Sequence, residues 1–76
     1  MNLRDEVKRL QDRWPAEFKD GFIVGLRGKG EGQRDKGGYP LGFHCWSLER
    51  RNAWWAGCNR GLVELIRIEK EIGADG

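Results

Sequence analysis

The stretch from Pro15 to Gly28, PAEFKDGFIVGLRG, decides how this chain folds. Pro15 cannot continue the hydrogen-bond ladder of a preceding helix, but its fixed φ suits the first turn of a new one, so the segment reads as a helix over about 15–28. Gly21, Gly25 and Gly28, spaced by four and three, share one face beside Phe18 and Phe22. Each interior glycine costs about 1 kcal/mol relative to alanine, so three on one face point to another backbone or a large ring packed closely against them. That face needs a partner from elsewhere in the chain.

Upstream, Leu3, Val7, Leu10 and Trp14 recur at intervals of four, three and four and form a narrow apolar stripe, which predicts an amphipathic helix over about 2–14. Asn2 is placed to cap it, and Asp5 and Glu6 suit its positive first turn. Downstream, Ser47 is a good N-cap for a last helix over about 47–72, with Gly73 expected as its left-handed stop. Asn59-Arg60-Gly61 is a point where this helix could kink or break. Its broad apolar face gathers Leu48, Trp55, Cys58, Leu62, Leu65, Ile66 and Ile72, with Arg51 and Glu69 as polar intrusions.

The stretch RNAWWAGCNRG, Arg51 to Gly61, sets two tryptophans side by side within that helix. Neighbours on a helix point about 100° apart, so the two rings face different surroundings. Periodicity puts Trp55 at the centre of the apolar stripe and Trp54 on a flank near Gly57, Gly61 and Ile68. The natural pairing sets the glycine face of the second helix against the tryptophans of the third, ring against smooth surface. The fold class is therefore all-α, a single domain over 1–76. It is a helical hairpin with a long glycine-rich loop, plus an additional N-terminal amphipathic helix.

Between the hairpin helices, residues 28–46 carry glycines at 28, 30, 32, 37, 38 and 42 and no apolar side chain before Tyr39. This reads as a flexible, locally cationic loop, with contact to the phosphates of an RNA backbone as its functional alternative. GKGEG lacks the spacing of a phosphate-cradling loop, and no strand precedes it.

With Lys+Arg at 14 and Asp+Glu at 12, the net charge of +2 gives no polyanion-attracting field over the whole surface, so any basic site must be local. No run of apolar residues is long enough to cross a membrane, and MNLRDEVKRL lacks the core of a secretory signal, which predicts a soluble cytoplasmic protein without membrane contact. His44, Cys45 and Cys58 fall short of a four-ligand zinc set and have no ligand-pair spacing, so no metal or cofactor is expected, and the cysteines read as reduced thiols. One histidine, no paired carboxylates and no nucleophile motif argue against catalysis.

Gly21-Phe22-Ile23-Val24-Gly25-Leu26-Arg27-Gly28, a glycine-rich loop ending in Tyr39-Pro40, and Arg51-Asn52-Ala53-Trp54-Trp55-Ala56-Gly57 stand in an order that resembles the ribosome modulation factor family over about residues 17–62. That family consists of small bacterial and phage-encoded helical hairpins. The resemblance implies a non-enzymatic, ribosome- or RNA-associated regulator with Gly21, Gly25, Gly28, Tyr39, Arg51, Trp54 and Gly57 as signature positions, most of them structural. Contacts to RNA are expected from Arg27, Lys29, Arg34, Lys36, Arg50, Arg51 and Arg60. An aromatic surface is expected around Tyr39, Phe43 and Trp46.

The near-neutral charge, the added first helix, and the segment LGFHCW at 41–46 depart from the family pattern; the charge, the extra helix and the surplus of aromatic groups motivate a second reading. In it the chain is a phage- or mobile-element-encoded inhibitor, of the anti-CRISPR or another anti-defence type, that binds a host protein complex through aromatic and arginine anchors. The partners are thus ribosomal RNA or a host protein complex. The first and last helices also leave room for a symmetric homodimer.

Overall fold

The computed structural model describes residues 3–74, apart from the side chain of Ala74, and contains α1 (Leu3–Arg13), α2 (Pro15–Arg27), a 3-10 turn (Phe43–Cys45) and α3 (Leu48–Ala74). Among the described residues there is no strand, only an isolated antiparallel bridge between Arg34 and Pro40. The chain is all-α. The expected cap Asn2 lies outside the described residues.

Local signals account for the helix ends. Trp14 breaks α1 from α2 with φ −128° and ψ 61°, and Pro15 takes the first-turn position where no N–H is needed. Gly28, at φ 82°, closes α2 in the left-handed region, its N–H donating to the Val24 carbonyl at 2.7 Å. Gly28 therefore caps α2 and does not extend its packing face. Ser47 caps α3 as expected, its Oγ accepting from the Arg50 N–H at 3.2 Å. Asn59-Arg60-Gly61 neither kinks nor breaks α3, which continues through Gly73 to Ala74. Gly73 is thus a helical residue and not the predicted stop.

The pairing of α2 with α3 corrects the hairpin expectation. A Cβ on Gly21 would strike the carbonyl of Trp54, and one on Gly25 that of Cys58; a Cβ on Gly57 would strike the carbonyl of Phe18, and one on Gly61 that of Phe22. Both residue numbers rise together, so α2 and α3 run parallel. Two glycine pairs, each spaced by four, interlock backbone against backbone, and each glycine faces a carbonyl oxygen of the opposite helix, as in Cα–H···O helix contacts. Ring against smooth face is therefore also overturned. No ring fits between helices this close.

Parallel helices cannot be joined by a short turn. The C-terminus of α2 and the N-terminus of α3 lie at opposite ends of the pair, about 20 Å apart for a helix the length of α2. The residues between Arg27 and Leu48 have to run back along it. This is the physical reason for the long loop. It is α1 that runs antiparallel to α3, with Arg9 and Arg13 at Glu49 and Leu3 near Val63.

The docking direction on α3 also reverses the two tryptophans. Gly57 and Gly61 point at α2, and Trp54, one turn before Gly57, lies on the same side and is 4% exposed. Trp55 is turned outward and is 39% exposed. Trp55 lies outside because the closest packing face of α3 is made of Gly57 and Gly61, which have no side chains and so leave no mark in a pattern of side-chain hydrophobicity. Leu10, Phe18, Phe43, Ala53 and Trp54 form the buried core, while Leu48, Leu62, Val63, Ile66, Ile68 and Ile72 remain exposed. The Cα extents of 45 × 35 × 15 Å describe a thin molecule that leaves one side of α3 uncovered.

Candidate functional site

The returning loop is held by a carboxylate that sequence reasoning did not single out. Asp20, on α2, accepts from Arg34 Nη1 at 2.7 Å and from Nη2, and its Oδ2 also accepts from Trp54 Nε1 at 2.7 Å. Arg34 additionally donates to the Glu31 carbonyl. One side chain thus joins α2, the loop and α3. Nothing in the spacing around Asp20 announces this role, because its partners are 14 and 34 residues away.

Further along the loop, Asp35 Oδ1 accepts from the N–H groups of Gly37 (2.8 Å) and Tyr39 (3.0 Å), and the Asp35 N–H donates to the Tyr39 carbonyl at 2.9 Å. These bonds shape a tight turn that presents Tyr39 inward. The Tyr39 and Phe43 rings stack with centroids 4.7 Å apart and planes 17° apart. Phe43 in turn packs against Trp54 (5.1 Å), Trp46 (5.3 Å) and Trp55 (5.3 Å). At 1% exposure Phe43 is the hub of the aromatic cluster, so its expected place on a displayed surface is corrected. A mixed aromatic cluster excludes water best with its smallest apolar ring at the centre, leaving Tyr and Trp polar atoms at the edges.

The other expected contact residues divide into two groups. Arg34 is enclosed, with a side chain 14% exposed and engaged with Asp20, and is not free to meet a phosphate. Arg50 is half-buried, its guanidinium 3.9 Å above the Trp46 ring and its Nε donating to Glu17 at 3.0 Å. Arg51 is half-buried, and its Nε has no acceptor among the described residues. Arg27, Lys29, Lys36 and Arg60 are exposed, with Arg27 3.9 Å from Glu31. Arg60 stands apart, lining the α1 side of α3.

Lys29, Arg34 and Tyr39 do come together. They line an open groove of about 350 Å³ with Val24, Trp54, Trp55 and Cys58, rimmed by Gly28, Gly30, Gly37 and Gly38. Arg27 and Lys36 each adjoin a rim glycine in the chain. The result is an apolar, aromatic-walled groove lined also by exposed Lys29 and by the Asp20-bound Arg34. Burial pushes the Cys58 thiol up from its ordinary range, so this sulfur is a poor nucleophile. Both cysteines are free, and no cluster of metal-ligating side chains occurs among the described residues.

Hydrogen bonds from Arg34, reinforced by Trp54, hold the Asp20 carboxyl below the usual carboxylate range against a smaller opposing effect of burial. Because the folded-state value is depressed, its contribution to stability is fully present above the unfolded value near 3.8 and is lost as pH falls through the folded value. Asp20→Asn is expected to lower stability by about 1–2 kcal/mol at neutral pH. The difference from the parent should shrink below about pH 4. Urea unfolding of both proteins between pH 7 and pH 3 measures this, and a difference constant across that range would exclude the charged Asp20–Arg34 link as its source.

Compared with protein families, curated proteins and solved structures, the chain matches none. No helix among the described residues is long and apolar enough to cross a membrane.

Proposed function

We propose that this protein is a non-enzymatic, RNA-associated regulatory module that contacts the ribosome or another RNA through the loop end of the α2–α3 pair. The observation that carries the reading is the groove walled by Tyr39 and Trp55 and lined also by Lys29, beside exposed Arg27 and Lys36. Aromatic faces that can stack an unpaired base, set beside cations that follow a phosphate backbone, are the recurring elements of single-stranded nucleic acid binding. The resemblance of the glycine helix, the Tyr-Pro loop and the Trp-containing helix to the ribosome modulation factor family supports the same direction.

Binding of a labelled single-stranded RNA, followed by fluorescence anisotropy across a salt series, tests this. The affinity is expected to fall with salt at a log–log slope of roughly −2, as three single-strand phosphate contacts require. Lys29→Ala and Lys36→Ala should each reduce that slope by about 0.7. A slope near zero would remove the RNA reading. A specific protein retained from nuclease-treated host lysate, with no RNA affinity, would select the alternative of an inhibitor acting on a host protein complex.

A further inference from the structure

The C-terminal part of α3 outruns the rest of the molecule. The glycine contacts with α2 end at Gly61 and Leu62, yet α3 continues to Ala74, about 18 Å further. An isolated helical stretch of that length is marginal in water without a packed face. Its apolar side chains nevertheless continue in register with those upstream. Leu48, Trp55 and Leu62 stand seven apart and lead to Glu69; Arg51, Cys58, Leu65 and Ile72 form a second row with the same spacing. Two rows of this kind, three residues out of step, are the a and d positions of a coiled-coil seam. Leu48, Trp55, Leu62, Ile66 and Ile72, on or beside the seam, are between 39 and 69% exposed.

We propose that a second copy of this chain covers this seam, with the two α3 helices packed antiparallel about a two-fold axis near Asn59–Arg60. In that register Leu48 meets Ile72 of the second copy, Trp55 meets Leu65, Cys58 meets Leu62, and Arg51 meets Glu69. Charge selects both the occupant and the direction. Arg51 and Glu69 are the charged residues that interrupt the seam, and neither makes a side-chain hydrogen bond or ion pair among the described residues. The other α3 carboxylates, Glu49, Glu64 and Glu71, each have an arginine partner. Antiparallel pairing brings the two unmatched charges together twice. Parallel pairing would set Arg51 against Arg51 and Glu69 against Glu69, so the same residues that favour one orientation oppose the other.

The surface available fits a modest dimer. The exposed seam side chains present on the order of 500 Å² of apolar area per copy, so pairing would bury roughly 1,000 Å², near the lower bound for a specific interface. The two-fold symmetry makes the contact self-limiting, so it closes at two copies. The seam includes Trp55 and Cys58, which also line the groove of the RNA reading, so a second copy seated there covers one wall of that groove; the mass measurement below tests the dimer in the absence of RNA.

Light scattering coupled to size exclusion, on the full chain across a concentration series, tests it. The expected mass is twice the 8.8 kDa of the chain at high concentration, falling towards 8.8 kDa on dilution. Glu69→Arg, at an exposed position, should weaken association by roughly tenfold or more, and Arg51→Glu added to it should restore the dimer by reversing both pairs. Leu62→Cys should yield a disulfide-linked dimer through Cys58 of the second copy under mild oxidation. A mass that stays at 8.8 kDa at the highest soluble concentration overturns the proposal. So does a dimer indifferent to Glu69→Arg, with circular dichroism confirming that each variant keeps its helices.

Discussion

Alanine at Gly57 is expected to unfold this protein at room temperature, and alanine at Gly21, Gly25 or Gly61 to do nearly the same. At each position the added methyl would enter the space of a carbonyl oxygen of the facing helix. A rotamer change cannot relieve a clash with backbone, so α2 and α3 have to separate along the line where the core is thinnest. Overpacking in a core commonly costs about 1–3 kcal/mol, and a rigid clash of this kind lies at or above the top of that range. A domain of this size has only about 3–5 kcal/mol to lose. Far-UV circular dichroism and thermal melting measure the effect directly.

Gly73→Ala is the control that separates crowding from helix propensity. A Cβ there meets nothing, and Gly73 lies within α3, so the substitution should stabilise by up to about 0.5–1 kcal/mol through helix propensity alone. If all five glycine variants melted alike, interlocked backbones would not be what holds α2 to α3.

Phe43→Ala carries the second large effect, with an expected loss of about 3–5 kcal/mol. Its ring touches Tyr39, Trp46, Trp54 and Trp55, so truncation opens a cavity bordered by four large rings that cannot all close in at once. The loop would lose its apolar anchor, leaving the Asp20–Arg34 link as its main tie to α2. Trp55→Ala, by contrast, removes a ring already 39% exposed and should cost markedly less. Chemical denaturation of the two variants, with the ordering Phe43 well above Trp55, checks the assignment. The reverse ordering would return Trp55 to the centre of the core.

These two expectations show which parts of the structure were legible beforehand. The caps Ser47 and Pro15 and the closely approached glycine helix were readable because each acts on backbone groups within a turn of itself. The groove was readable in part. Lys29, Arg34 and Tyr39 were all singled out and do meet there, but Arg34 serves to tie the loop to Asp20. Local composition marked these side chains as cationic and aromatic. It carried no information on which would find partners inside the molecule, since Asp20 and Trp54 reach the site from distant points of the chain.

The sequence by itself determined that this protein is built of helices, where most of them begin, and that two of them must come unusually close. Those properties depend on neighbours a few residues apart and on the absence of side chains at Gly21 and Gly25. Only the tertiary structure decided that α2 and α3 run parallel, that Trp54 is inside and Trp55 outside, and that Phe43 is the hub of the loop. A bare helix face records that a backbone can approach but carries no direction. The sense of the pairing, and with it the side of α3 that faces the core, was settled by how Gly57 and Gly61 fit the carbonyls of Phe18 and Phe22.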